Sequence, residues 1–181
     1  GKHVGADIPM CGAPVHSHEG YLERLIRAGF KVAICEQTEA PAAARKRGGK
    51  ALVARAVVRV VTPGTITEDS LLQARANNHL AALARAGNAF GLAWLDMSTG
   101  GFVVAQPTPQ ELPALLAQVS PGELLLPESL VAEPCLVDFG PVLTPLAASR
   151  FASAAGERRL RDVYGVASLD AFGAFSRAEI G

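Results

Sequence analysis

Val57-Val58-Arg59-Val60-Val61-Thr62-Pro63-Gly64-Thr65 is a β-branched run cut short by Pro-Gly, and its reading divides the chain in two. Valines at this density favour a strand, and Pro followed by Gly stops the strand and opens a turn. Pro in the second place and Gly in the third fit a type II turn. Alternation along the strand puts Arg59 on one face with Val57 and Val61, with Val58 and Val60 on the other. An Arg among valines has two readings: a solvated side chain on an edge strand, or a guanidinium that contacts phosphate.

Charge changes sign across this stretch. Residues 1–65 hold ten Lys/Arg against five Asp/Glu, a net of +5, and residues 66–181 hold seven against twelve, a net of −5. The overall neutrality is a cancellation, and the asymmetry points to an anionic partner for the first part. With 49% hydrophobic and 19% charged residues in 181, a packed core is expected and general disorder is not. No apolar run reaches 18 residues, so no membrane span is expected, and the first residues lack a signal-peptide pattern. The three cysteines are widely spaced, without CxxC, and fit a reducing, cytoplasmic setting.

Upstream of the stretch, Ile8-Pro9-Met10-Cys11-Gly12-Ala13-Pro14 reads as an irregular loop, because its prolines and glycine continue neither helix nor strand. Ser17 is placed as an N-cap for a helix presenting Tyr21, Leu22, Leu25 and Ile26 on one face, with Gly29 as its C-terminal cap. Phe30 to Glu36 reads as a short strand, Thr38 to Ala44 as a brief helix, Arg45 to Lys50 as a basic loop, and Leu52 to Val61 as a second strand. That loop has two readings, a solvated segment or a contact with the anionic partner. About 60 residues are marginal for an independent domain, so this half reads as the later part of a larger one.

Downstream, residues 63–76 carry no packed face and read as a linker, with one helical turn at Glu68–Leu72. Leu80 to Arg85, a Gly87-Asn88 turn and Phe90 to Met97 read as a hairpin, and Phe102 to Ala105 as a third strand. Thr108-Pro109-Gln110-Glu111 is a capping box before a helix striped by Leu112, Leu115, Leu116 and Val119, with an irregular first turn at Pro113. Glu123 to Leu126 reads as a buried strand, Pro127 to Ala132 as a helical turn, Leu136 to Phe139 as a weak strand, and Ser153 to Tyr164 as a helix with Leu160 and Val163 inward. The order β-β-β-α-β-α-β-α over 77–181 is that of a ribonuclease-H-like fold. The fold class is therefore α/β: residues 1–62 and 77–181 form two small mixed α/β domains, joined by 63–76.

Four stretches together carry a resemblance: Ile8 to His16, Val32 to Gln37, Val57 to Thr65, and Leu95-Asp96-Met97-Ser98-Thr99-Gly100. In order and spacing they resemble the MutS family of DNA mismatch repair proteins, with weaker likeness as far as residue 181. The resemblance implies that 1–62 is the later part of a mismatch-recognition domain and that 77–181 is a connector domain. It implies mismatched duplex DNA as a partner, MutL as a partner through the connector, a homodimer, and ATP with Mg in the full-length protein. Near DNA it places Met10 as a soft apolar contact, Gly12 as a point of close backbone approach, and Arg59 on phosphate. Core filling by Met10 and plain turn geometry at Gly12 are the alternatives. Two departures stand out. The family's Phe-x-Glu mismatch probe does not precede Ile8, and no GxxxxGK(S/T) phosphate loop occurs, so neither the probe nor the ATPase is expected here, and no cofactor.

Catalytic and metal-binding residues are not expected. His16 and His18 form a pair with no further ligand to complete a site. The rival reading is a ribonuclease-H-like metal-dependent nuclease using Asp96, Glu128 and Asp138, but two-metal catalysis needs convergent acids and only Asp96 is well placed. Even Asp96 leads straight into a turn, where Asp is ordinary. A third reading makes the acidic half a protein-docking module only.

Overall fold

A computed structural model of the chain describes residues 2, 3, 6, 7, 12–48, 51–66 and 78–181. The loop at Ile8–Cys11, the Gly49-Lys50 end of the basic loop and the helical turn at Glu68–Leu72 lie outside the described residues. The chain forms two compact units, Gly1–Pro63 and Gly64–Gly181. Both are mixed α/β.

In the first unit, β1 (Lys2–His3) and β2 (Ala6–Asp7) form a minimal antiparallel pair. A 3-10 turn, Val15–Ser17, leads into α1 (His18–Arg27). Ser17 stands at the N-cap as the sequence indicates, yet its hydroxyl donates back to Pro14 O at 3.1 Å rather than accepting from the helix. The 3-10 turn before it draws the side chain backwards. The C-terminus behaves as read. Gly29 has φ +83°, its N–H donates to Ile26 O, and the Phe30 N–H donates to Leu25 O. This is a Schellman motif, whose left-handed position suits glycine. Leu22 and Ile26 are buried, while Tyr21 and Leu25 flank them and stay exposed.

Strand β3 (Val32–Gln37) and β4 (Arg55–Val61) pair antiparallel, and α2 (Pro41–Lys46) lies between them in sequence. The register contains a bulge: Ile34 pairs with Arg59 and Cys35 with Val57, leaving Val58 without a partner of its own. An extra residue shifts the alternation. Arg59 therefore does not share a face with Val57, as simple alternation requires. It lies with Val61, Val32 and Ile34 on the covered face, and Val57, Val58 and Val60 are all more than half exposed.

In the second unit, β5 (His79–Ala86) and β6 (Ala89–Asp96) form the expected hairpin, with Gly87 at φ +61° opening a two-residue turn. Strand β7 (Phe102–Ala105) adds antiparallel to β6, and β8 (Glu123–Pro127) and β9 (Leu143–Leu146) add parallel on the other side. The strand order β7-β6-β5-β8-β9 is the ribonuclease-H-like arrangement read from the sequence. Helix α3 (Leu112–Val119) follows a capping box in which Thr108 N–H donates to Glu111 Oε2 at 2.9 Å and Glu111 N–H to Thr108 Oγ1 at 3.3 Å. Its Leu112 and Leu116 join Leu83, Phe90, Leu92, Leu124 and Leu126 in the core.

The opposite face of the sheet is lined with small residues. There α5 (Arg177–Ile180) approaches so closely that a Cβ on Gly91 would stand 2.1 Å from Ala178 O. Helix α4 (Ser153–Tyr164) matches its expected bounds and ends on Gly165 at φ +64°. Val163, read as inward, is 79% exposed.

Two further readings need correction. Leu136–Phe139 is not a strand but part of a 3-10 helix, Pro134–Val142, which buries Leu136, and the strand comes seven residues later as β9. Pro134 favours a helical start, and Pro145 is tolerated because β9 is an edge. The Pro63–Thr65 segment is a 3-10 turn rather than type II. Gly64 does not have the positive φ that type II demands. Nor is this stretch without a packed face, since Gly64 and Ile66 are buried.

Candidate nucleic-acid interface

The site residues read from the sequence fall in the first unit. Met10 lies outside the described residues. Gly12 is exposed, and a Cβ built there would meet nothing within 4 Å. Packing among the described residues thus places no demand for glycine at this position. Arg59 is half-buried on the covered face of β4 and is engaged in an interaction of its own. Strand β4 is an edge of its two-stranded sheet, and Arg59 on it is half-buried rather than fully solvated. Gly12 belongs to the approach to α1 and Arg59 to the sheet.

Elsewhere in the first unit the exposed charges include Glu19 and Glu36 beside a larger number of cations. Arg24, Arg27, Lys31, Arg45, Lys46 and Arg55 are exposed. Arg27 is answered by Glu23 at 2.6 Å, one turn back on α1. Such an exposed pair contributes little to stability.

Sequence reasoning missed Glu39. Its Oε1 accepts from the Ala54 N–H at 2.6 Å and from Arg47 Nη2, and Arg47 also donates to Leu52 O at 3.3 Å. The Thr38 N–H donates to Ala54 O at 3.0 Å alongside. One carboxylate thus closes the connection between β3 and β4 at its base. Of the three cations at Arg45-Lys46-Arg47, Arg47 is braced internally, and Arg45 and Lys46 project. A pair eight residues apart, one at each end of α2, has no periodic signature, so the sequence alone gave no signal for it.

The histidine pair does not act as a unit. His18 Nδ1 lies 2.8 Å from Val15 O, a bond in which the ring nitrogen donates to the carbonyl. His16 sits on the preceding 3-10 turn.

The acids of the second unit are dispersed. Asp96 ends β6 and accepts from the Ser98 N–H at 2.9 Å and the Ser98 hydroxyl at 2.6 Å. Those hydrogen bonds hold its carboxyl below the ordinary carboxylate value, the hydroxyl contributing most. The backbone closes the same turn, with Gly100 N–H donating to Asp96 O at 2.8 Å. Asp96 therefore serves the turn. Glu128 begins a 3-10 turn, Glu128–Leu130, and Asp138 lies on the 3-10 helix rather than on a strand. Among the described residues, no three His, Cys, Asp or Glu side chains are grouped so as to hold a metal ion. Nor, among those residues, is any helix long and apolar enough to cross a membrane.

Comparison with known proteins gives a consistent result. The family model for MutS domain I matches residues 1–70, and that for MutS domain II matches residues 78–180. The chain is 53% identical over 186 residues to the DNA mismatch repair protein MutS of Roseobacter denitrificans, covering 99% of this chain and 21% of that protein. It is 52% identical to the MutS of Nitrobacter winogradskyi, again over 99% of this chain and 21% of the relative. With the MutS of Rhizobium meliloti it shares 48% identity over 99% of this chain and 20% of the relative. The chain thus spans about a fifth of the length of the curated relatives it matches.

Proposed function

Since the chain belongs to the MutS family and carries its domains I and II, we propose that its first unit grips duplex DNA as part of a mismatch-recognition surface and that its second unit relays the bound state to partners. The observation that carries this reading is a coincidence of boundaries. The domain I match, residues 1–70, falls on the part of the chain with a net charge of +5 over residues 1–65. A cationic surface gives sequence-independent, salt-sensitive affinity for the phosphate backbone.

In this reading Arg59 pairs with phosphate and positions the duplex. Gly12, with open space where a side chain would stand, lets the backbone come close to DNA, and Met10 offers an apolar contact beside the mispair. Discrimination comes from deformability: unstacking costs a few kcal/mol per step and is cheaper at a mispair, so a wedge and kink select for it. That wedge, the Phe-x-Glu probe of the family, does not occur in these residues, and this chain is a binding module without chemistry of its own. MutL docking on the second unit, homodimer formation, ATP with Mg in the complete protein and a cytoplasmic setting belong to the same proposal.

The test is fluorescence anisotropy of the 181-residue chain with matched and G·T-containing duplexes across a salt series. Weak binding is expected, with a steep salt dependence and equal affinity for the two duplexes. Arg59→Ala weakens both equally and lowers the salt slope by about one. A preference for the G·T duplex would mean that the wedge lies within this chain. Absence of binding at low salt would remove the DNA reading. Retention of MutL in a pull-down with residues 64–181 alone would support the docking role.

A further inference from the structure

Gly64, on the Pro63–Thr65 turn, opens the second unit and packs into that unit's sheet. A Cβ on Gly64 would stand 2.7 Å from the Cβ of Glu123 and 2.9 Å from Leu80 Cδ1. Glycine is needed here for space, because only a bare Cα lets the backbone come this close. Leu80 and Glu123 are register partners across the parallel β5–β8 pair, so Gly64 lies over the junction of two strands.

Glu123 is itself only 3% exposed, unusual for a carboxylate. Its Oε1 accepts from the Thr144 hydroxyl at 2.7 Å, which ties β8 to β9. At the same end of the sheet, the Gly122 N–H donates to His79 O at 2.9 Å, and His79 Nδ1 lies 2.7 Å from Val119 O. Beyond the turn, Ile66 is buried and its carbonyl accepts from Asn78 Nδ2 at 3.5 Å. One small area therefore holds the turn, the starts of β5 and β8, and β9.

We propose that Gly64 is a fixed anchor point on this sheet, seated against Leu80 and Glu123, and that the proposed relay from the DNA-binding unit enters the parallel half of the sheet here. The relay half rests on the DNA-binding reading above. The anchor half stands on the packing alone. A Pro-Gly stretch is ordinarily a place where a chain bends freely; here the glycine is used for seating, and motion passed along the chain at residue 63 reaches three adjacent strands together.

The experiment has two arms on the 181-residue chain. The first is a double-mutant cycle of Gly64→Ala and Leu80→Ala, followed by urea unfolding of the second unit through Trp94 fluorescence. An anchored turn makes Gly64→Ala raise the unfolding constant about tenfold. Leu80→Ala removes the Leu80 Cδ1 obstruction and leaves the Glu123 Cβ at 2.7 Å, so the methyl's penalty is relieved in part and the double variant departs from additivity by at least about threefold. Additive effects would overturn the anchor. In the second arm, amide shifts of Glu123–Pro127 and Leu143–Leu146 are followed by NMR as duplex DNA is added. They move in the unsubstituted chain and stay still in Gly64→Ala, while DNA affinity changes less than about twofold. Equal shifts in both proteins, or none in either once DNA is bound, would overturn the relay. If DNA does not bind at all, the DNA-binding reading and the relay fall together, and the cycle still decides the anchor.

Discussion

The two units obey the same local rules and reach different degrees of completion. In the second, a five-stranded sheet is covered on both faces, and leucines from β5, β6, β8 and α3 are fully enclosed. In the first, a two-stranded sheet buries Val61, α1 buries Leu22 and Ile26, and Val57, Val58 and Val60 face outward. A sheet strand has two faces, and covering one leaves a row of apolar side chains in water. The difference teaches that secondary structure here needs only local signals, such as the Schellman glycine at Gly29. Stability needs a second layer, which the first unit lacks among the described residues.

The largest expected effect tests that contrast directly. In urea the chain unfolds in two steps, the first unit before the second, seen as non-coincident backbone CD and Trp94 fluorescence transitions. Leu116→Ala costs the second unit about 2–5 kcal/mol and leaves the first transition in place. A single coincident transition would break the comparison. Removing the Thr108–Glu111 box that leads into α3 by Thr108→Ala costs about 1 kcal/mol in the same measurement.

A smaller effect is expected from acid. Because Asp96 is held below its ordinary value in the folded state, the stability it contributes is present above the unfolded-state pKa near 4 and lost as pH falls through the lower folded value. Asp96→Asn should flatten that part of the stability profile of the second unit, measured by urea midpoints between about pH 2 and 6. A profile unchanged by the substitution would detach the turn from the carboxylate. The smallest effect belongs to the bare face: Val60→Thr changes stability by less than about 0.5 kcal/mol, because the side chain is already in water. A loss of 2 kcal/mol or more in thermal or urea unfolding would show that face to be covered in solution.

Much of this was legible in the residues. The hairpin around Gly87-Asn88, the capping box at Thr108–Glu111 and the helix Ser153–Tyr164 all rest on signals a few residues long, and each appears as read. The strand placed at Leu136–Phe139 failed because a short apolar run does not distinguish strand from 3-10 helix; Pro134 was the clue. The face of Arg59 was misjudged because a bulge leaves no mark on a run of valines. Gly64 was read as a turn glycine when its role is to admit a neighbouring side chain, a fact that only tertiary packing reveals. Glu39, bonded to Arg47 beyond α2 and to Ala54, was invisible for the same reason.

The account's central claim is a division of labour, with a basic unit that holds DNA and an acidic unit that does not. The most direct test is to titrate the isotopically labelled chain with a short matched duplex at low salt and compare signal broadening from a spin label on the DNA. The account predicts strong broadening at residues around Gly12, Arg45 and Arg59, with residues of β6, α3 and α4 unaffected. Broadening centred on the second unit, with the first untouched, would contradict it.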